Sequence, residues 1–354
     1  MRGLQEAHGV RHSCAPHGMM TGMHLPSLNA WGLSGSRCTR RDALAWSLGA
    51  LCMGVQAQPQ PGAVLTLGTA TPGGGFPVYG EAVVRAVAHA DPGLVVQARA
   101  TRGSNENIPL LESGQLDLAL VQGEALHEAM RGVGRPAARL AVVAAMYPTA
   151  GMWVVRADSA YRRVADLRGQ PVAWGAQGSG LVILARYVLE GLGLDMDRDF
   201  QAVYLARAGD GPAMLRDGRV AALWGGGAQW PGFVAATREP PGGRFIVPSA
   251  QEVAQVLARH RFLKAQVLPA GAYAGQEAAL TSVGSWSFIM ARPDLEEALA
   301  YWFTRALHLG EAKLAADLPQ AVDTRALNTA QQVPDPAWLH PGTRRYLREI
   351  GLLR

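Results

Sequence analysis

Covalent chemistry needs reactive side chains at particular spacings, and this sequence offers few. After residue 57 its histidines are His89, His127, His260, His308 and His340, tens of residues apart, so no i, i+4 pair on one helix face is available to zinc. Cys14, Cys38 and Cys52 all fall within the first 57 residues. A serine hydrolase wants Gly-x-Ser-x-Gly between a strand and a helix, and Gln177-Gly178-Ser179-Gly180 lacks the first glycine. Gly73-Gly74-Gly75 has neither the Gly-Lys-Ser/Thr ending of a nucleotide loop nor the spacing of a dinucleotide fingerprint. No catalytic residue, metal ligand or cofactor is assigned, although a triad built from distant residues stays open.

Three turns rich in glycine and small hydroxyl residues point instead to binding: Gly68 to Gly75, Thr101 to Asn107, and Gly175 to Gly180. A helix that starts at such a turn leaves its first N–H groups unpaired, with the partial positive charge of its aligned peptide dipoles. Carboxylates or phosphates fit there. Ser179 and Gly180 open one helix, and Ser104 and Asn107, with Arg102 before them, open another. Thr69, Gly74 and Phe76 belong to the first turn; Gln122 and Tyr147 end strands at the same rim; Gly226 and Trp230 come from a later glycine run. Each has a plainer reading: Ser179 as a simple helix cap, Arg102 as a solvated charge, Phe76 and the tryptophans as core.

The elements that must carry these turns alternate short apolar runs with helical periodicity, the pattern of an α/β architecture with a largely parallel sheet. Strands are expected over 63–68, 94–98, 116–121 and 140–146, with helices over 78–90 and 108–112, making one lobe. Residues 152–156 leave it. A second lobe repeats the theme, with strands over 171–175, 201–205 and 220–224 and a helix over 181–192. A strand over 283–291 returns, followed by helices over 294–308 and 341–351. The expected division is 58–152 plus 284–354 for the first lobe and 153–283 for the second, with two crossings forming a hinge.

The 354 residues carry 33 Lys plus Arg against 28 Asp plus Glu, and 49% are hydrophobic, a folding composition. The net charge of +5 is concentrated in residues 1–57, where five arginines face Glu6 and Asp42. That leaves +2 for the rest and argues against a nucleic-acid binder. Thr39-Arg40-Arg41, an uncharged run from Ala43 to Val55, and Val55-Gln56-Ala57 read as an export leader, of twin-arginine type, removed after Ala57. The run is 13 residues long, short of the roughly 20 that span a bilayer. A buried N-terminal helix and a lipid anchor at Cys52 are the alternatives.

With these segments in view, the chain resembles the TAXI family, the extracytoplasmic solute-binding subunits of TRAP-type transporters. The likeness runs in order through Leu67-Gly68-Thr69 and Pro72-Gly73-Gly74, then Gly103-Ser104-Asn105-Glu106-Asn107 with Leu110-Leu111-Glu112-Ser113-Gly114, and Asp117 to Gln122. It continues in Ala165-Asp166-Leu167-Arg168-Gly169, Gly178-Ser179-Gly180, Ala270-Gly271-Ala272-Tyr273 and His340 to Tyr346. The sequence departs where the family usually has a threonine and paired tyrosines, here Gly75, Phe76 and Pro77, and where it has glycine and threonine, here Arg102 and Leu181.

The resemblance implies a bilobed type II periplasmic-binding-protein fold, an exported monomer that is not an enzyme. It would trap a small organic anion, such as glutamate or a dicarboxylate, and hand it to TRAP membrane subunits. Two alternatives remain: the same fold serving an ABC- or tricarboxylate-type transporter or a sensor-kinase receptor, and an exported enzyme.

Overall fold

The computed structural model describes residues 64–354; the expected leader at residues 1–57 and all three cysteines lie outside the described residues. The first half of the fold runs β1 (Val64–Gly68), α1 (Gly75–Ala90), β2 (Val95–Arg99), α2 (Ser104–Glu112), β3 (Leu118–Gln122), α3 (Gly123–Arg131) and into β4 (Ala141–Arg156). Helix α1 forms because Tyr79, Ala82, Val83, Ala86 and Val87 recur at helical spacing, and all five are buried. Burying each valine contributes about 2 kcal/mol. Strand β3 is covered on both faces, which is why it reads as the continuous run Leu-Ala-Leu-Val-Gln instead of alternating.

The second half contains β5 (Pro171–Ala176), α4 (Gly180–Gly191), β6 (Gln201–Leu205), α5 (Gly211–Arg216), β7 (Ala222–Gly226), α6 (Pro231–Arg238), β8 (Gly243–Ile246), α7 (Ala250–Arg259) and β9 (Lys264–Leu268). Strand β10 (Leu280–Ala291) leads back, and α8 (Glu297–Leu309), α9 (Glu311–Asp317), α10 (Ala326–Gln332) and α11 (Pro341–Glu349) follow. Three fully buried tryptophans, Trp153, Trp174 and Trp224, fill the core of this half, with the Trp153 and Trp224 ring centres 4.4 Å apart. Trp224 is therefore core, and its indole N–H is spent on the Leu181 carbonyl at 2.8 Å.

The sheet order is β2-β1-β3-β10-β4-β7-β5-β6, with β8 on β4 and β9 on β10. The α/β class stands, but the sheet is mixed: β1, β2 and β3 are parallel, as are β5, β6 and β7, while β4 and β10 run antiparallel to their neighbours. These two long strands serve both halves. Strand β4 pairs with β10 up to Ala150 and with β7 from Gly151; β10 pairs with β3 from Ser287 and with β9 up to Gly284.

The sequence suggested two strands, 140–146 and 152–156, separated by Pro148 to Gly151. They are one strand of 16 residues. Pro148 lacks an N–H, but β10 absorbs the gap with a register shift between Trp286 and Phe288 beside it.

Candidate ligand-binding cleft

Three strand-to-helix junctions converge where the halves meet. The loop after β1 brings Ala70, Thr71, Gly74, Gly75 and Phe76; the start of α2 brings Gly103 and Ser104; the start of α4 brings Ser179, Gly180 and Leu181. Together with Arg102, Gln122, Thr149, Gly175, Ala176, Ala208 and Trp230 they enclose a cavity of about 50 Å³. Its mouth is a wider hollow of about 290 Å³ that shares Thr71, Arg102 and Ala176 with the cavity and adds Asn105, Glu106, Gln177 and Gly178.

Each junction is shaped by its own sequence. The Ser179 hydroxyl accepts from Leu181 N at 3.2 Å, capping α4. Ser104 does something different. Its buried hydroxyl accepts from Gln122 N at 3.1 Å and ties the start of α2 to the end of β3. Trp230 is set by Tyr273, whose hydroxyl accepts from Trp230 N at 2.8 Å and donates to Gly227 O at 2.7 Å. The Ala270-Gly271-Ala272-Tyr273 segment thus positions a cleft wall without lining it.

The two halves are in direct contact across the cleft. Asn105 N donates to Gly178 O at 3.1 Å, Gly209 N to Pro72 O at 3.3 Å, and Ala208 N to the Thr71 hydroxyl at 3.2 Å. Gly73, at φ +82°, lies so near Gly209 that an added Cβ would come within 2.4 Å of its Cα. Contacts of this kind hold the two sides of the cleft together.

Of the residues singled out from sequence, Gly74, Phe76, Arg102, Ser104, Gln122, Ser179, Gly180 and Trp230 line the cavity. Thr69, Asn107, Tyr147 and Gly226 do not. The Thr69 hydroxyl bonds Arg99 O at 3.1 Å, and the Asn107 amide donates to Thr69 O and Leu120 O, both at 2.8 Å, so it braces two strand ends. Tyr147 packs edge-on against Tyr79, 5.2 Å between centres, and Gly226 abuts the Ala150 carbonyl. Side chains at a strand end alternate between faces, and sequence alone does not say which face meets the cleft.

Arg102 reaches the cavity only with its inner atoms. Its side chain is 77% exposed and its Nε sits 3.5 Å from Glu106 Oε2, so the charge belongs to the mouth. Inside, the polar groups are hydroxyls, helix-start amides and Gln122, whose buried Nε2 has no hydrogen-bond partner. Two residues after Gln122, the Glu124 carboxyl is fully buried; loss of hydration pushes its pKa up to about 7, and the nearby Ser285, its own backbone N–H and Gln122 offset only part of that. Thr149 and Ala208 were not singled out from sequence: Thr149 sits inside an apolar strand and Ala208 in one short 3-10 turn.

The sequence profile of the NMT1-like family matches residues 67–351, most of the chain. This chain belongs to the NMT1-like family. Solved structures similar to this NMT1-like chain include the periplasmic aliphatic sulphonate binding protein SsuA from Escherichia coli, 18% identical over 81% of this chain and 83% of that one, with a TM-score of 0.43. The alkanesulfonate-binding protein SsuA from Xanthomonas axonopodis pv. citri, bound to MOPS, is 17% identical over 82% and 84%, with a TM-score of 0.46. A TctC solute binding protein from Polaromonas is 16% identical over 74% and 89%, with a TM-score of 0.46. Among the described residues of the NMT1-like chain, no helix is long and apolar enough to cross a membrane.

Proposed function

We propose that this protein is an extracytoplasmic solute-binding protein that closes its two halves over a short monocarboxylate and delivers it to TRAP-type membrane subunits. One observation carries the reading: the N-termini of α2 and α4, from opposite halves, meet around a single cavity that holds Gln122 with an unused amide donor. Aligned N–H groups at helix starts favour an anion. Contacts from both halves at once stabilise the closed form, because a ligand shifts an equilibrium only through its differential affinity for the two states.

Cavity size narrows the ligand. At about 50 Å³ the cavity is much smaller than the hollow at its mouth, and a short anion fits it without extending outward. Propionate or pyruvate is of that size; succinate and glutamate, the ligand class the resemblance suggested, are larger. The Phe76, Leu181 and Trp230 side chains supply apolar surface for a short tail, and Arg102 at the mouth draws the anion in.

The family match does not single out the TRAP type, so a second reading stands beside the first: delivery to ABC- or tricarboxylate-type membrane subunits. The genes beside this one distinguish them.

Calorimetric titration with propionate, pyruvate, succinate and L-glutamate tests the ligand class. The two short anions bind, and the two longer ones bind at least about tenfold more weakly, a difference of ~1.4 kcal/mol. Ser179→Ala removes a cap and cleft hydroxyl and weakens propionate binding roughly fivefold, the worth of one hydrogen bond of ~1 kcal/mol. Absence of binding by all four anions sinks the proposal.

A further inference from the structure

Glu124 is the least expected residue near the cleft. It has no solvent exposure, and neither carboxylate oxygen has a hydrogen bond of ordinary geometry, the donors beside it being Ser285, Gln122 and its own backbone N–H. A buried carboxylate left this way is costly, and such groups are neutralised by a proton instead. Two further orphans lie beside it. Gln122 Nε2 is one; the other is the hydroxyl of Ser287, fully buried and directly opposite Gln122 in the β3–β10 register. Residues paired in this way project to the same face of the sheet. Gln122 itself borders the cavity, since a Cβ on Gly180 would lie 3.3 Å from its Oε1. Unsatisfied groups therefore extend from Glu124 and Ser287 through Gln122 to the edge of the cavity.

We propose that Glu124 is a positioning residue of the cleft: it takes up a proton as the cleft closes on an anion, and in that form leaves the Gln122 Nε2 free to donate to the ligand. This rests on the carboxylate reading above. When Glu124 is charged it attracts Nε2 and the amide turns its Oε1 to the cleft, an acceptor that an anion avoids. When it is protonated, its O–H donates to an acceptor beside it, the Gln122 Oε1 or the Ser287 hydroxyl, and the amide nitrogen is released. The proton comes from solvent, and no other bond changes.

The charged groups on the elements packed against Glu124 are engaged elsewhere. On its own helix, Glu128 binds Arg186 and Tyr187 of α4, His127 stacks on Phe262, and Arg131 lies over Trp338. On α2, Glu106 pairs with Arg102 and Glu112 with Arg135; on α4, Glu190 lies 3.7 Å from His260; β3 and β10 have no charged residue, and Arg292, just past the end of β10, pairs with Asp117 and Asp294. Glu128, one turn away, raises the Glu124 proton affinity further by repulsion. No cation competes for the Glu124 charge within these pairings.

The test is calorimetry of propionate and pyruvate binding to the full mature chain, in phosphate and in Tris, whose ionisation enthalpies differ. Wild-type protein takes up a fraction of a proton, approaching one, per anion bound near neutral pH. Its affinity falls by up to about tenfold per pH unit as pH rises from about 5 toward about 8, the slope for one linked proton. Glu124→Gln binds the same anions with no uptake and a flat profile, because its amide mimics the neutral carboxyl. Uptake is read on the wild type, so the result does not depend on the variant folding. Binding with no uptake and a flat wild-type profile overturns this inference and leaves the carboxylate reading standing, as does uptake that persists in Glu124→Gln. If none of the four carboxylates binds at any pH, both fall.

Discussion

Gly180 and Ser104, on opposite sides of the cleft, approach so closely that a Cβ built on Gly180 would lie 2.8 Å from the Ser104 hydroxyl oxygen. The same Cβ would lie 2.5 Å from Gln122 Cβ. Both are below any ordinary carbon contact, so the closed cleft requires glycine at 180 for space alone.

Gly180→Ala therefore holds the halves apart without unfolding either of them. Propionate affinity should fall at least about tenfold, and solution scattering of the ligand-saturated variant should show a larger radius of gyration than the wild type. Alanine is a better helix former than glycine by ~1 kcal/mol, so thermal stability should not drop. Unchanged affinity would mean that closure does not bring α4 against α2.

Arg102→Ala separates attraction from fit. The guanidinium is mostly solvated and already pairs with Glu106, so its direct worth is small, ~0–1 kcal/mol. Stopped-flow association of a carboxylate should slow by a few fold and lose part of its dependence on ionic strength, with dissociation little changed. A large increase in the dissociation rate would place the guanidinium inside the cavity instead.

Tyr273→Phe removes the one hydroxyl that accepts from Trp230 N and donates to Gly227 O. Leaving those two buried backbone groups without a partner costs about 1–3 kcal/mol. Denaturant melts should show that loss, and the cleft should bind more weakly because the Trp230 wall is no longer fixed. Wild-type stability in the variant would show that other groups satisfy both.

Glu124→Gln should change stability in a pH-dependent way. The folded carboxyl titrates near 7, above its ordinary value, so the folded protein holds more protons than the unfolded chain, and stability falls as pH rises through that range. At about pH 8 the wild type bears the full cost, on the order of 3 kcal/mol at 1.36 kcal/mol per unit, and at about pH 4 almost none. Urea melts of wild type and variant should converge in acid and separate in base; parallel curves would mean that Glu124 is hydrated when charged.

Much of the cleft was legible because glycine and serine at strand-to-helix junctions have few other uses: Gly178-Ser179-Gly180 and Gly103-Ser104 read as helix starts, and both line the cavity. Asn107 was read into the cleft from the same segment, yet its amide holds two carbonyls, because the first turn of α2 directs it toward the sheet. The helix expected over 181–192 begins at Gly180 and buries Ile183, Leu184, Tyr187 and Val188, leaving Leu181 half-buried at the cavity wall.

By itself the sequence determined the local preferences: apolar periods that make strands and helices, glycines that permit the turns, and a lack of paired histidines or thiols after residue 57. These depend on neighbours along the chain. Only the tertiary structure decided which turns face one another, that Pro148 continues a strand instead of breaking it, and that Glu124 lies dry beside Gln122. Those outcomes depend on contacts between residues far apart in the chain, above all the β4 and β10 crossings, and no local spacing encodes them.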